Sequence, residues 1–395
     1  MTAPFGAGHE LAAEAVRHSL ESSCDARIFD PFARLPKGAG RHLVKAYLDL
    51  LRYTPDLWRL VYTRTGETPL RGPLQNILCQ GLWLVLGSIV EQWLQENSPR
   101  AVVATHPFAA ALVDAWLMLR RETGEHENEN QERFPFFVVT TDFAPHPFWC
   151  YPTVTCYCVA TPAFAHRLLQ MGIPADRIRV TGIPVREQFA DPPDREAARS
   201  RIGLVAPAGP ATPAGAVDHP PLVLVMGGGL GVGRYREILE RLLGVEMPLH
   251  LVVFAGRNQK LYRELQYFVA ESLRSSPHRV EILQFTQNMV DWMAAADLLI
   301  TKPGGLTLAE GLAVGVPMVL IDPVPGQEEE NAEYLVAAGA ALAATRSSLP
   351  AVVKELLNQQ GTRLRLRRAA RNLARPDAAR RVAKLVAAAA GCELP

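Results

Sequence analysis

Short apolar runs rich in β-branched and aromatic residues recur along the chain, each halted by Pro or Gly. In the first half they are AVVATHP (101–107), FFVVTTDF (136–143), CYCVATP (156–162) and IRVTGIP (178–184). The rhythm returns in PLVLVMGGG (221–229), LHLVVFAG (249–256), VEILQF (280–285), ADLLITKPGG (296–305) and VPMVLID (316–322). Amphipathic stretches such as residues 163–171 mostly follow them. Strands apolar on both faces that alternate with helices predict parallel sheets covered by helices. Two such sets predict two doubly wound α/β domains.

Between the sets, the second half of residues 190–221 is rich in Pro, Ala and Gly and too poor in large apolar groups to order itself. The predicted division is therefore residues 1–190, a linker over 191–220 holding one short helix near 195–201, a second domain over 221–360, and basic helices over 361–395. In the first half, Leu43, Tyr47, Leu50, Leu51, Leu57, Trp58 and Val61 recur at helical spacing, with a break or new start at Pro55. That spacing suits core-facing helices, or the rim of an apolar groove. Residues 121–133 hold five glutamates and predict a surface loop.

Lys plus Arg total 41 against 40 for Asp plus Glu, so no charge surplus points to nucleic acid. Hydrophobic residues make up 48% of the 395, enough for a core in each domain. Six scattered cysteines fit a reducing compartment better than a disulfide scaffold. Cys150, Cys156 and Cys158 lack paired metal-site spacing and read as buried small hydrophobes. The opening MTAPFGAGHE lacks the charged and apolar pair of a signal peptide. Gln80 and Gln92 interrupt the apolar stretch around residues 82–90, which falls short of the roughly 20 residues that span a bilayer. Residues 361–390 carry nine basic residues and one acid, Asp377, a pattern for an anionic membrane surface or for solvated helix faces.

Four places carry candidate chemistry. GAGH (Gly6, Gly8, His9) precedes a helical pattern, and its histidine would accept a proton near neutral pH. TTDFAPHPFW follows an apolar strand, so Asp142, His146 and Trp149 are expected at a strand's carboxyl end, where a carboxylate, an imidazole and an indole suit a hydroxyl-bearing substrate. MGGGLGVGR, with Gly227, Gly228 and Gly229, follows a strand without the clean dinucleotide spacing, so a phosphate-cradling turn is expected. In TKPGGLTLAEG, Gly304 and Gly305 open a helix whose first turns hold Thr307 and Glu310; its N–H groups would hold a diphosphate without a metal, and Glu310 would reach a ribose hydroxyl. Gln327, Glu328 and Asn331 precede or open another helix and suit sugar hydroxyls, or a plain charged helix start. The chain has no Asp-x-Asp pair, and no metal or cofactor is expected.

These stretches, with RIRVTGIPVREQF and FTQNMVDWMAAADLLITKPGGLTLAEGLAVGVPM, resemble the diacylglycerol glycosyltransferases, meaning the monogalactosyldiacylglycerol synthases and related bacterial glucosyltransferases. More distantly the chain resembles the N-acetylglucosaminyltransferase of peptidoglycan assembly. The resemblance implies a GT-B fold, with two Rossmann-like domains facing a cleft, lipid acceptor on the N-terminal side and UDP-sugar on the C-terminal side. It implies that both glycine turns hold the diphosphate, that Phe285 and Met289 lie near the uracil, and that Glu310 binds ribose. Gln327 and Glu328 would contact the donor sugar, and Gly8, His9, Asp142, His146 and Trp149 would form the acceptor side.

Members carry an apolar strand before the GxGH loop; here two residues precede Ala3, so the first strand is expected to be truncated, as a start codon placed too late would leave it. Pro4 stands where plant members carry an acid considered as the base, which moves the expected base to His9, with Asp142 second. The implied reaction is inverting hexose transfer from a UDP-sugar to diacylglycerol, peripheral on the cytoplasmic face of an anionic membrane. Galactose and glucose both stay open as the sugar. The alternatives are another UDP-sugar enzyme of this architecture, such as a precursor N-acetylglucosaminyltransferase or a sugar 2-epimerase, and a non-catalytic membrane-surface protein.

Overall fold

The computed structural model describes all residues except 37, 41, 44, 47–48, 50–53, 67–72, 123–133, 205–219, 230, 232, 273–275 and 394–395. Of the expected loop over 121–133, Arg121 and Glu122 instead end the Pro107–Glu122 helix; residues 123–133, Tyr47, Leu50, Leu51 and most of the Pro-rich linker lie outside the described residues. Two compact units emerge: Met1–Glu187 with Val324–Glu330 and Arg375–Pro395, and Gln188–Pro323 with Asn331–Ala374.

The first unit holds a parallel sheet of β1 (Val102–Ala104), β2 (Phe136–Val139), β3 (Cys156–Val159) and β4 (Ile178–Val180), in that order. Every residue of β2 is buried, as expected of a strand covered on both faces. Where the sequence predicted a truncated strand, one ladder step to β1 is present: the Met1 amine donates to the Val103 carbonyl at 2.5 Å, and Thr105 N–H donates to the Met1 carbonyl at 3.1 Å. On its far side Thr2 N–H donates to Phe29 O at 3.1 Å. Residues 1–3 thus lie between β1 and the stretch reaching Phe29, and the chain leaves them toward one neighbour and returns later to the other.

Pro55 opens the Pro55–Gly66 helix, the break expected there. Residues 82–90 fall inside the Pro73–Asn97 helix. No helix among the described residues is long and apolar enough to cross a membrane. Cys150 and Cys158 are buried, Cys158 on β3 and Cys150 beyond a short turn; Cys156 is half-buried.

The second unit is built on β5 (Leu222–Met226), β6 (His250–Phe254), β7 (Arg279–Leu283), β8 (Leu298–Thr301), β9 (Met318–Leu320) and β10 (Ala341–Ala343), ordered β10-β9-β8-β5-β6-β7 and all parallel. The strand order reverses between β5 and β8. β10 is unpredicted because its Ala-Leu-Ala carries no β-branched signal; pairing with β9 makes it a strand.

Two segments fall elsewhere than the sequence suggested. The Arg195–Arg201 helix, expected within a linker, belongs to the second unit. Arg195 and Arg199 both pair with Asp297, whose Oδ2 also accepts from Leu222 N–H at 2.9 Å, and Arg201 pairs with Asp291 at 3.1 Å. The basic 361–395 segment is shared: Gln360–Leu373 stays with the second unit, while the Ala378–Ala390 helix lies in the first. Its Val382, Ala383, Val386 and Ala387 form an apolar stripe that packs with Val16, Leu20, Phe137, Val139 and Cys158. An apolar stripe of this kind outweighs the helix's basic outer face, at about 1.5–3 kcal/mol per large side chain buried.

Asp297 is 9% exposed and the Arg199 side chain is also largely covered, so removing the carboxylate leaves the Arg199 guanidinium without its counter-charge. Asp297→Ala should lower the unfolding free energy of the second unit by about 3–5 kcal/mol in urea titrations. A loss below about 1 kcal/mol would show that the cluster holds nothing in place.

Candidate functional site

In the first unit the candidates gather where β1 and β2 end. The Ala7–Leu20 helix starts directly from the GAGH loop with no side-chain cap, which puts Gly8 and His9 in its first turn. His9 Nδ1 lies 3.0 Å from the Thr105 carbonyl, just past β1, and 2.8 Å from the Thr141 hydroxyl, just past β2. A carbonyl only accepts, so the network assigns the ring proton to Nδ1 and the lone pair to Nε2. Thr105 closes the latch by donating its own hydroxyl to the His9 carbonyl at 3.0 Å. Burial lowers His9 to about 4, against the raising effect of the Thr105 bond. At neutral pH the ring is uncharged and Nε2 can take a proton.

His106 stands edge-on to His9, ring centroids 4.4 Å apart, and its Nδ1 accepts from Phe108 N–H at 3.0 Å. Burial and the neighbouring His9 hold it well below the ordinary histidine value. The run ATHP ends a predicted strand, so its histidine was visible, but nothing in the sequence pairs it with His9.

Asp142 follows Thr141 and is half-buried. Beside it Tyr62 donates its hydroxyl to Glu330 Oε2 at 2.9 Å and stacks on His146 at 3.9 Å. Burial, Glu330 and Asp142 all push the Tyr62 phenol upward, so it stays protonated. No sequence signal singles out Tyr62.

Two expected acceptor residues do other work. His146 Nδ1 accepts from Phe148 N–H at 3.2 Å, and its Nε2 donates to the Tyr62 carbonyl at 3.1 Å. Both ring nitrogens are thereby used in holding the Pro147–Trp149 turn and the Pro55–Gly66 helix together. That turn rotates the Trp149 indole into the core, where it is 2% exposed and cannot cover a substrate. Gln327 receives the Trp58 indole N–H on Oε1 at 3.4 Å. Glu328 folds back to accept from Val324 N–H at 2.7 Å, and Glu329 accepts from Gly326 N–H at 3.0 Å. For the glutamates, this is the charged helix start that the sequence left as an alternative.

In the second unit, the ladder pairs Met226, the last residue of β5, with Thr301, the last residue of β8. Gly227, Gly228 and Gly229 follow one strand and residues 302–305 follow the other, so the two glycine turns start side by side where the strand order reverses. Doubly wound sheets bind ligands at such a crevice. Gly228 has φ +80°, and a Cβ there would meet nothing within 4 Å, so the turn is open on that side. At Gly231, φ +59°, a Cβ would come within 2.0 Å of the Ala255 carbonyl, so only glycine lets the turn close against the end of β6.

Gly304 is the N-cap of the Gly305–Val314 helix and no side chain caps it. The helix start therefore offers N–H groups and the positive end of its dipole. A small recess sits at these strand ends, lined among others by Gly227, Gly233, Arg234, Lys302 and Asp322. Lys302 and Arg234 are the cations that motif reading passed over. No group of three or more His, Cys, Asp or Glu among the described residues is placed to hold a metal ion.

Thr307 and Glu310 are buried, Glu310 at 4% exposure. Asn331 is fully buried and donates Nδ2 to the Pro303 carbonyl at 3.2 Å, so it holds the Lys-Pro-Gly-Gly turn from below and is closed to a sugar. Past β7, Phe285 is 37% exposed with the Arg257 guanidinium 4.9 Å from its ring, while Met289 is buried.

Comparison with known proteins places this geometry. Residues 9–185 match the monogalactosyldiacylglycerol synthase family, and residues 222–387 match the C-terminal domain of glycosyltransferase family 28. The chain is 31% identical over 290 residues to the processive diacylglycerol beta-glucosyltransferase of Bacillus subtilis, covering 73% of this chain and 67% of that one. The chain belongs to the diacylglycerol glycosyltransferase family. The Staphylococcus carnosus relative of the same description is 34% identical over 206 residues, covering 52% of this chain and 48% of that one. The chain thus spans only about half the length of that relative, and 60% of the one from Bacillus pumilus. The fold is that of Acinetobacter baumannii MurG, with TM-score 0.58, 20% identity and coverage of 98% and 97%. A UDP co-structure of Staphylococcus aureus MnaA scores 0.56 at 14% identity, covering 98% and 95%. Two parallel-sheet α/β domains of the GT-B class are thereby shown.

His9 and His146 are lowered to about 4 and His106 well below 6.5, so between those values the unfolded chain binds more protons than the folded one. Their stabilising contribution is complete above pH 6.5 and is lost as pH falls toward 4. The melting temperature should fall through this window with proton uptake on unfolding, and His146→Asn should remove about one proton of the dependence. A melting temperature flat from pH 6.5 to 4.5 would contradict the burial of these rings.

Proposed function

We propose that the chain transfers a hexose from a UDP-sugar to the hydroxyl of diacylglycerol, with inversion and without a metal ion. The observation that carries this reading is the Met226–Thr301 pairing, which sets two N–H-rich glycine turns next to each other with Lys302 and Arg234 at hand. A departing diphosphate develops charge that preorganised N–H groups and cations stabilise. The relatives are diacylglycerol glucosyltransferases by name, which supports the acceptor and favours glucose; the match to the galactolipid synthase family keeps galactose in play.

In this mechanism His9 Nε2 takes the proton of the lipid hydroxyl as its oxygen attacks the anomeric carbon from the face opposite UDP. The sugar passes through an oxocarbenium-like state, and the bond to the β-phosphate oxygen breaks. Thr105 and Thr141 keep Nδ1–H in place, so the lone pair stays on Nε2 as the proton arrives. Asp142, beside the Tyr62 phenol, is the second candidate for the base. Glu310 holds ribose, Phe285 covers the uracil, and Gln327 contacts the sugar in this reading.

Membrane contact is part of the proposal. Residues 73–90 contain no charged side chain, and Ile77, Leu84 and Val85 on this helix are 64%, 86% and 52% exposed. Arg380, Arg381 and Lys384 are exposed on the Ala378–Ala390 helix and would meet anionic headgroups. Six free cysteines fit the reducing, cytoplasmic side.

With chelator present, Lys302→Ala and Glu310→Ala should each weaken UDP binding at least about tenfold by calorimetry, roughly one charge-assisted hydrogen bond. Absence of UDP binding by the parent chain under the same conditions would end the metal-free reading. His9→Ala should lower turnover by about 10²–10⁴, read by mass spectrometry of glycolipids made from diacylglycerol and each UDP-hexose. Retained turnover would pass the role to Asp142.

A further inference from the structure

We propose that Cys24 and Cys392 form a dithiol modification site that a small-molecule disulfide converts into an internal disulfide, stapling the first and last helices of the first unit together. Cys24 follows the Ala7–Leu20 helix, and its N–H donates to Leu20 O at 2.9 Å. Cys392 follows the Ala378–Ala390 helix, its N–H donating to Ala387 O at 2.8 Å, with Gly391 in the left-handed conformation at φ +66°. The two helices share one apolar seam, in which Val16 and Leu20 meet Val382, Ala383, Val386 and Ala387. Both cysteines pack against that seam at the ends of the two helices, near enough for Cys392 to raise the Cys24 thiol. Both are half-buried, so a small reagent can reach them, whereas Cys150 and Cys158 are buried. Arg100, whose guanidinium is 3.5 Å from the Gly391 carbonyl, favours the thiolate form of Cys24.

The chemistry balances without a metal or cofactor. One thiolate attacks a sulfur of the small disulfide, RSSR, and expels RS⁻; the second cysteine then attacks the mixed disulfide and expels the other RS⁻. The protein loses two hydrogens and two electrons, and the reagent gains them as two RSH. Burial and the contact with Cys392 push the Cys24 thiol up to about 11, so exchange at neutral pH runs slowly and is followed over hours. The consequence is mechanical: the helix whose first turn holds His9 becomes covalently tied to the helix that carries Arg380, Arg381 and Lys384.

The test exposes the reduced full chain to oxidised glutathione. The intact mass should fall by about 2 Da, two hydrogens, and a non-reducing digest should yield one peptide pair joining Cys24 to Cys392 that dithiothreitol separates. The oxidised chain should resist proteolysis over residues 378–392 several-fold longer than the reduced one. Cys24→Ser and Cys392→Ser should each lose both effects and gain one glutathionyl group on the remaining cysteine. An unchanged wild-type mass would overturn the proposal, as would separate glutathionyl groups on both cysteines or a bridge mapped to Cys156 and Cys158. The wild-type peptide map decides this even where a serine variant folds poorly.

Discussion

Parallel strands that end at the same level while the chain departs in opposite directions create what both units offer to a ligand. In the second unit that constraint is the β5–β8 ladder, which ends on Met226 and Thr301. Each strand then releases a glycine turn into space that no neighbouring crossover occupies, because the crossovers lead away on either side. In the first unit the same logic acts through a single ladder step between Met1 and the end of β1, with the GAGH loop leaving one strand end and Thr105 leaving the other. Helix starts placed there keep backbone N–H groups without intrahelical partners, and the chemistry grows from that surplus of donors.

Burial then selects protonation states. Three imidazoles lie close to the ends of β1 and β2, and enclosing them keeps them neutral. In the bonds described, His9 alone of the three keeps an imidazole lone pair open: His106 spends its Nδ1 lone pair on Phe108 N–H and so carries its proton on Nε2, and His146 uses both nitrogens, whereas His9 directs Nδ1–H at the Thr105 carbonyl. The division of labour follows from geometry, since a histidine directly before Pro naturally caps the turn that Pro opens. His9 sits one turn further along and escapes that role.

Charge outside the site has a structural use of its own. Asp297 gathers Arg195 and Arg199 and a backbone N–H, and so fastens a short helix whose own apolar surface is slight, with Ala198 its one buried residue. The Ala378–Ala390 helix is fastened the other way, by a stripe of Val and Ala against the sheet of the first unit. A chain with balanced charge can thus send neighbouring basic segments to different units, because the residues facing inward decide the docking and the arginines remain outside.

Strand sites and the doubly wound class were legible in the sequence, because a strand buried on both faces must be continuously apolar and a helix start near a phosphate must be glycine-rich. The candidate donors Gly227, Gly304 and Glu310 and the candidate base His9 were legible for the same local reasons. What tertiary structure alone decided was which polar groups remain available. Trp149 and Asn331 carry suitable chemistry and right placement along the chain, yet one is folded into the core and the other spent on the Pro303 carbonyl. Tyr62, Thr105 and Thr141 enter the sites through partners far away in sequence, and Lys302 by lining a recess with residues that follow another strand, which no spacing rule records. Sequence thus determined the ladder and its turns through local backbone demands; the packing of distant side chains determined which hydrogen-bonding groups those turns leave open.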